Sequence, residues 1–169
     1  WTGTFSRPSL RLYGIIDLER LALLVASTND PQKKLLYESL YAESLLTWFR
    51  IYHQTGQTDL SHLRAAVEAS SSNAPTHFFA RGCFLISEGK EKEGYSLQKH
   101  GFTTAFDYAK ASRQWGERWI ILARIATWRW ALLRRAGRND VLAQESAEVL
   151  RTLDGNALSK AGYGAQRFA

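Results

Sequence analysis

The segment RWIILARIATWRWALLRRAGRND, residues 118–140, constrains the fold more than any other part of the chain. Its aliphatic and Trp side chains fall on nearly every side of a helix, interrupted only by Arg. A helix of that kind is stable in water when neighbours cover several of its faces. A membrane does not supply those neighbours, because the apolar run from Trp119 to Leu133 is broken by Arg124 and Arg129. It also falls short of the roughly 20 apolar residues that cross a bilayer. The segment is therefore expected to be an inner helix of a soluble, multi-helix domain with no membrane span.

The rest of the chain agrees. There are only three Pro residues, and apolar residues recur at helical spacing rather than in alternation. A first helix is expected from Leu10 to Ala26, stopped by STNDP, where Asn29 or Asp30 caps the next and Pro31 fits its first turn. From Gln32 to Gln54 the residues Tyr37, Tyr41, Leu45, Trp48, Phe49 and Tyr52 form one stripe, which predicts a long packed helix ending at Gly56. Thr58 or Asp59 then starts a shorter helix over Leu60–Ser70, and SSSNAPT reads as a loop. Further helices are expected at His77–Glu88, at Phe102–Ser112 after the charged turn EGKEKEG, and at Val141–Leu153 after the stop at Gly137.

At 169 residues this is one all-α domain, with an N-terminal helix in 1–30, about three helix pairs in 32–153 and a tail in 154–169. Hydrophobic residues make up 45% and charged residues 22%, which excludes a disordered chain. Six Trp, seven Tyr and eight Phe provide a core without covalent staples. The lone Cys83 cannot form an internal disulfide, so a reducing, cytoplasmic compartment is expected. With no Met and an opening on Trp1, the chain reads as a piece of a longer protein.

An internal repeat is visible. FRIYHQTGQTD and WALLRRAGRND each close a long aromatic helix with Gly, two polar residues and Asp, and each leads into a shorter helix. Small residues mark those shorter helices at Ala66 and Ala69, at Ala105, Ala109 and Ser112, and at Ala143 and Ala147, a spacing that lets helices approach closely. The segment HFFARGCFLISEGKEKEGY carries Phe78, Gly82, Leu85, Gly89 and Gly94 in an order that resembles the tetratricopeptide-type helical repeat. It departs from that repeat at Arg81 and Gln98. AFDYAKASRQWGERWIILARIATWRWALLRRAGRND is similar to the longer variant in the sensor domains of large bacterial transcription activators of the maltose-regulon type. The resemblance implies antiparallel helix pairs stacked as a short solenoid within a regulatory bacterial protein. A compact helical bundle is the alternative.

Charge is the sharpest anomaly. From Lys110 to Arg138 there are eight basic residues (Lys110, Arg113, Arg118, Arg124, Arg129, Arg134, Arg135 and Arg138) against Glu117 alone. That local balance of +7 exceeds the +6 of the whole chain. Arg beside Trp suits capture of carboxylate or phosphate and stacking on bases, while solvation or pairing with carboxylates on adjacent helices is the plainer role.

Other chemistry finds little support. His53 and His62 flank a turn containing Asp59, without a Cys pair or an HExxH helix, so no metal site is expected. Cys83, with His77 and His100 in its region, has no identifiable third group and reads as a small core residue. GKEKEG is not a phosphate-binding loop, no GxSxG elbow occurs, and Glu91 and Glu93 sit among Lys90 and Lys92 in a wet turn. Neither catalytic residues nor a cofactor are expected, and the chain reads as non-enzymatic. The stacked-pair reading places binding on the first helices of the pairs, at Trp48, Tyr52, Arg81, Arg124, Trp128 and Arg135. The expected partner is a protein or an acidic ligand, with nucleic acid held by the basic segment 110–138 as the alternative.

Overall fold

The computed structural model describes residues 18–56, 59–70, 73–112 and 116–154. Among these the chain is all-helical, with no strand. Helix α1 is helical over residues 18–27, followed by α2 (Pro31–Thr55), α3 (Ser61–Ala69), α4 (Pro75–Ser87), α5 (Glu91–Lys110), α6 (Glu117–Arg135) and α7 (Asn139–Asp154). None of these helices is long and apolar enough to cross a membrane.

Local chemistry sets the boundaries. At the start of α2 the Asp30 carboxylate accepts hydrogen bonds from the amides of Gln32 (3.0 Å) and Lys33 (3.2 Å), so Asp30 rather than Asn29 is the cap, with Pro31 in the first turn as expected. Asp59 does the same for the amide of Ser61 (3.0 Å) ahead of α3, while the other candidate, Thr58, lies outside the described residues. Helices α4 and α6 end alike. The amide of Lys90 bonds the carbonyl of Leu85 (2.9 Å) and that of Gly89 bonds Ile86 (3.0 Å), with Gly89 at φ +81°. Arg138 to Leu133 (2.9 Å) and Gly137 to Arg134 (3.1 Å) repeat the pattern, with Gly137 at φ +71°. Both are glycine-terminated ends in which the left-handed residue lets the chain fold back on its last carbonyls.

One expected boundary is corrected. The segment EGKEKEG is not simply a charged turn before a helix at Phe102, because α5 already starts at Glu91 and runs through it. Glu91 and Glu93 occupy the first turn, where carboxylates favour the helix dipole. Gly94 and Gly101, which read as breakers, are interior residues at a close crossing with α4. A Cβ on Gly94 would stand 2.5 Å from Ile86 Cγ1 and 2.7 Å from the Gly82 carbonyl oxygen; one on Gly101 would stand 2.7 Å from the Pro75 carbonyl oxygen. Tertiary packing overrides the helix-breaking tendency of glycine here.

The core has two parts. One is formed by Leu18, Ala22 and Val25 of α1 with Tyr41, Leu45 and Trp48 of α2, Leu63, Ala66 and Val67 of α3, and Ala80 and Phe84 of α4. The other joins Leu46 and Phe79 to Phe102, Ala105, Phe106 and Ala109 of α5, Trp119, Leu122, Ile125 and Ala126 of α6, and Val149 and Leu153 of α7. Helix α6 is enclosed by α2, α4, α5 and α7, as its all-round apolar sequence requires. Of the small residues read as close-packing positions, Ala66, Ala105 and Ala109 are buried, whereas Ala69, Ala143 and Ala147 are exposed.

Candidate anion-binding cleft

Helix α6 places Arg129 on the same stripe as Ile125, Ala126 and Leu133, so the helix that must be buried carries a guanidinium into the interior. Helix α7 brings Glu145 to meet it. Arg129 Nε donates to both carboxylate oxygens of Glu145 (3.1 and 2.9 Å) and Nη2 donates to Oε1 (2.8 Å). The two side chains are only 3% and 9% exposed, and the guanidinium carbon lies 6.0 Å from the centroid of Phe102. This bidentate geometry is what makes a buried pair tolerable, since two desolvated charges must recover in contact what they lose in hydration. Arg129 Nη1 is buried and has no hydrogen-bond partner.

The pair belongs to the lining of a cleft of about 390 Å³ between α5 and α7. Helix α5 contributes Lys92, Tyr95, Ser96, Lys99, Phe102 and Thr103, which share a face at spacings of three and four; Arg138 and Val141, Gln144 and Glu148 come from the far side. The guanidinium of Arg138 lies over the Tyr95 ring, 5.1 Å from its centroid. Lys92, Lys99 and Arg138 are exposed and make no ion pair among the described residues. Four cationic side chains thus stand against two carboxylates, Glu145 and Glu148, and the cleft keeps two uncompensated positive charges. Its size is that of a site for a small ligand or for one or two side chains of a partner.

The residues singled out in the sequence are scattered. Trp48 is buried in the core between α1, α2, α3 and α4, which gives it the packing role rather than a surface ring. The side chain of Tyr52 lies outside the described ones. Arg81 is exposed and lines a separate small pocket of about 60 Å³ with Arg64, Glu68 and Glu88. Arg124 is half-buried and engaged within the protein, and Trp128 is half-buried against the core. Arg135 is exposed in the last turn of α6. None of the six lines the cleft. Arg129 was visible within the basic run, but Glu145, Lys92, Tyr95 and Lys99 were not singled out. The α5 stripe was hidden because residues 89–101 read as a turn, although a lone Arg and a lone Glu on two apolar stripes were a usable sign of a buried pair.

Two other polar groups are structural. His77 is buried, with Nδ1 at 3.0 Å from the Val67 carbonyl oxygen and 3.1 Å from Ser70 Oγ; burial, with nearby Arg81 adding to it, lowers its pKa below the ordinary value, against the Val67 hydrogen bond and Glu68. Burial pushes the Cys83 thiol up to about 12, and Gln98 Nε2 donates to its sulfur at 3.3 Å, so it is a protonated packing group rather than a thiolate nucleophile at neutral pH. Among the described residues no cluster of three His, Cys, Asp or Glu stands ready to hold a metal ion. Comparison with protein-family models, with curated proteins and with solved structures gives no match.

Proposed function

We propose that this chain is a non-enzymatic helical interaction module of a larger regulatory protein, and that it holds an anionic partner in the cleft between α5 and α7. The observation that carries this reading is the unpaired state of Lys92, Lys99 and Arg138 around a buried Arg129–Glu145 pair. Cations that pair with nothing in their own chain are available to another molecule, and the buried pair fixes the wall behind them. The tetratricopeptide-like stacking of the sequence reading remains part of the proposal. It draws support from the glycine-lined crossing of α4 and α5 and from the succession of contacts α4 to α5, α5 to α6 and α6 to α7. In that arrangement the cleft lies between two second helices rather than on the face of the first ones.

Nucleic acid is the weaker reading. Each described Trp ring is buried or half-buried: Trp48 and Trp119 are in the core, and Trp128 and Trp130 pack against it. Stacking on bases requires an accessible ring. Fluorescence anisotropy with a glutamate-rich peptide and with a single-stranded oligonucleotide separates the two readings. The peptide is expected to bind, and Lys99→Glu together with Arg138→Glu is expected to weaken it at least about tenfold, while Arg118→Glu with Arg134→Glu leaves it within about twofold. Binding of the oligonucleotide alone, falling steeply with salt, overturns the proposal.

A further inference from the structure

The cleft's donors are specific enough to name the chemistry of its ligand, an inference that rests on the reading of the cleft just given. Its two uncompensated positive charges match a dianion better than a single carboxylate. Besides Lys92, Lys99 and Arg138, the lining offers the hydroxyls of Ser96 and Thr103 and the amide of Gln144, more donors than the two oxygens of one carboxylate use well. Arg129, nine-tenths and more buried, is part of the same lining and keeps Nη1 without an acceptor although its other nitrogens are satisfied by Glu145. A buried donor left without a partner costs free energy, which a ligand acceptor drawn down to it recovers. Between these polar groups lie Tyr95, Phe102 and Val141, which give a compact organic body something apolar to rest on.

We propose that the α5–α7 cleft binds a phosphate monoester, its phosphoryl oxygens held by Lys92, Lys99 and Arg138 and its organic body lying along Tyr95, Phe102 and Val141 towards Arg129. Arg suits this task through its planar fork and Lys through its mobile point charge. The same phosphoryl chemistry is carried by small metabolites and by phosphorylated side chains, and the source is an arm of the test.

The experiment is calorimetric titration of the chain with phenyl phosphate, with benzoate, and with a short phosphoserine peptide beside its unphosphorylated form. The expected result is one saturable site for phenyl phosphate, with benzoate at least about tenfold weaker. Lys99→Glu, at an exposed position, is expected to lower affinity at least about tenfold, and Arg134→Glu, outside the cleft, to leave it within about twofold. The double variant Arg129→Leu with Glu145→Leu, checked for helix content by circular dichroism, is expected to keep the fold and lose binding by about three- to tenfold. Tight binding of the phosphopeptide with weak binding of phenyl phosphate upholds the phosphoryl site and assigns it to a protein source. Equal binding of phenyl phosphate and benzoate overturns the inference, as does equal loss in Lys99→Glu and Arg134→Glu. A chain that takes up the glutamate-rich peptide at the cleft but does not prefer phosphate keeps the interaction reading and loses this one; a chain that binds none of these anions loses both.

Discussion

The α4–α5 hairpin and the α6–α7 pair solve the same problem, two antiparallel helices side by side, in opposite ways. In the first, Gly82, Gly94 and Gly101 let backbone meet backbone, and a single Cβ at any of them would fall 2.5–2.7 Å from its nearest atom. In the second, the helices stand apart, and the gap is filled by a guanidinium and a carboxylate rather than by small residues. Close approach leaves no room for a site. Separation by a charged pair leaves a wall that is rigid and a cleft beside it. In this molecule the place with looser helix packing is therefore the place with binding chemistry.

The comparison can be broken at the charged pair first. Glu145→Ala strands the Arg129 guanidinium in the interior and is expected to cost about 3–5 kcal/mol, read as a shift in the urea midpoint. If the pair serves the cleft rather than stability, Arg129→Leu with Glu145→Leu is expected to lie near wild type or above it in the same assay. A double variant as unstable as Glu145→Ala would show that the pair holds the helices together after all.

The hairpin is tested by Gly101→Ala. Alanine is the better helix former, by roughly 1 kcal/mol at an open site. Here the new methyl meets the Pro75 carbonyl oxygen at 2.7 Å and the Phe79 amide nitrogen at 2.9 Å, both backbone atoms that cannot swing aside. The expected outcome is a net loss of about 1–3 kcal/mol in thermal or denaturant unfolding. A gain in stability would mean that α4 and α5 have slack between them.

The smallest effect is a titration on the α4 side. Because burial lowers the pKa of His77 in the fold, the unfolded chain takes up a proton there more readily than the native one. Stability linked to this residue is thus fully present above the unfolded value of about 6.5 and declines as pH falls below it. Melting temperatures at pH 7.5 and 5.5 are expected to differ by more in the wild type than in His77→Gln, and an identical pH dependence in both would exclude His77 as the cause.

How far the sequence revealed this arrangement follows from what local chemistry can encode. Asp30, Pro31, Gly56 and Gly137 mark boundaries through their own backbone requirements, and the all-round apolar α6 announced its neighbours. Gly94 and Gly101 misled because glycine reads alike whether it ends a helix or admits a second helix to its surface. Only the partner helix distinguishes the two, and that partner is not local in sequence. The cleft was hidden for the same reason, since its charges are contributed by α5, the turn before α7, and α7 itself. The Arg/Trp composition pointed to the right helix but to other residues on it, as Arg129 turns inward where Arg134 and Arg135 turn out.

Phe49 has one consequence for how the molecule comes apart. Its ring lies 5.4 Å from that of Phe84, and it packs against both halves of the core, while α2 and α4 each send side chains into the two of them. Neither half has a boundary along which it can melt and leave the other intact. Loss of order should spread from one to the other as a single all-or-none event, so a ligand seated between α5 and α7 tightens the distant α1–α3 end as well.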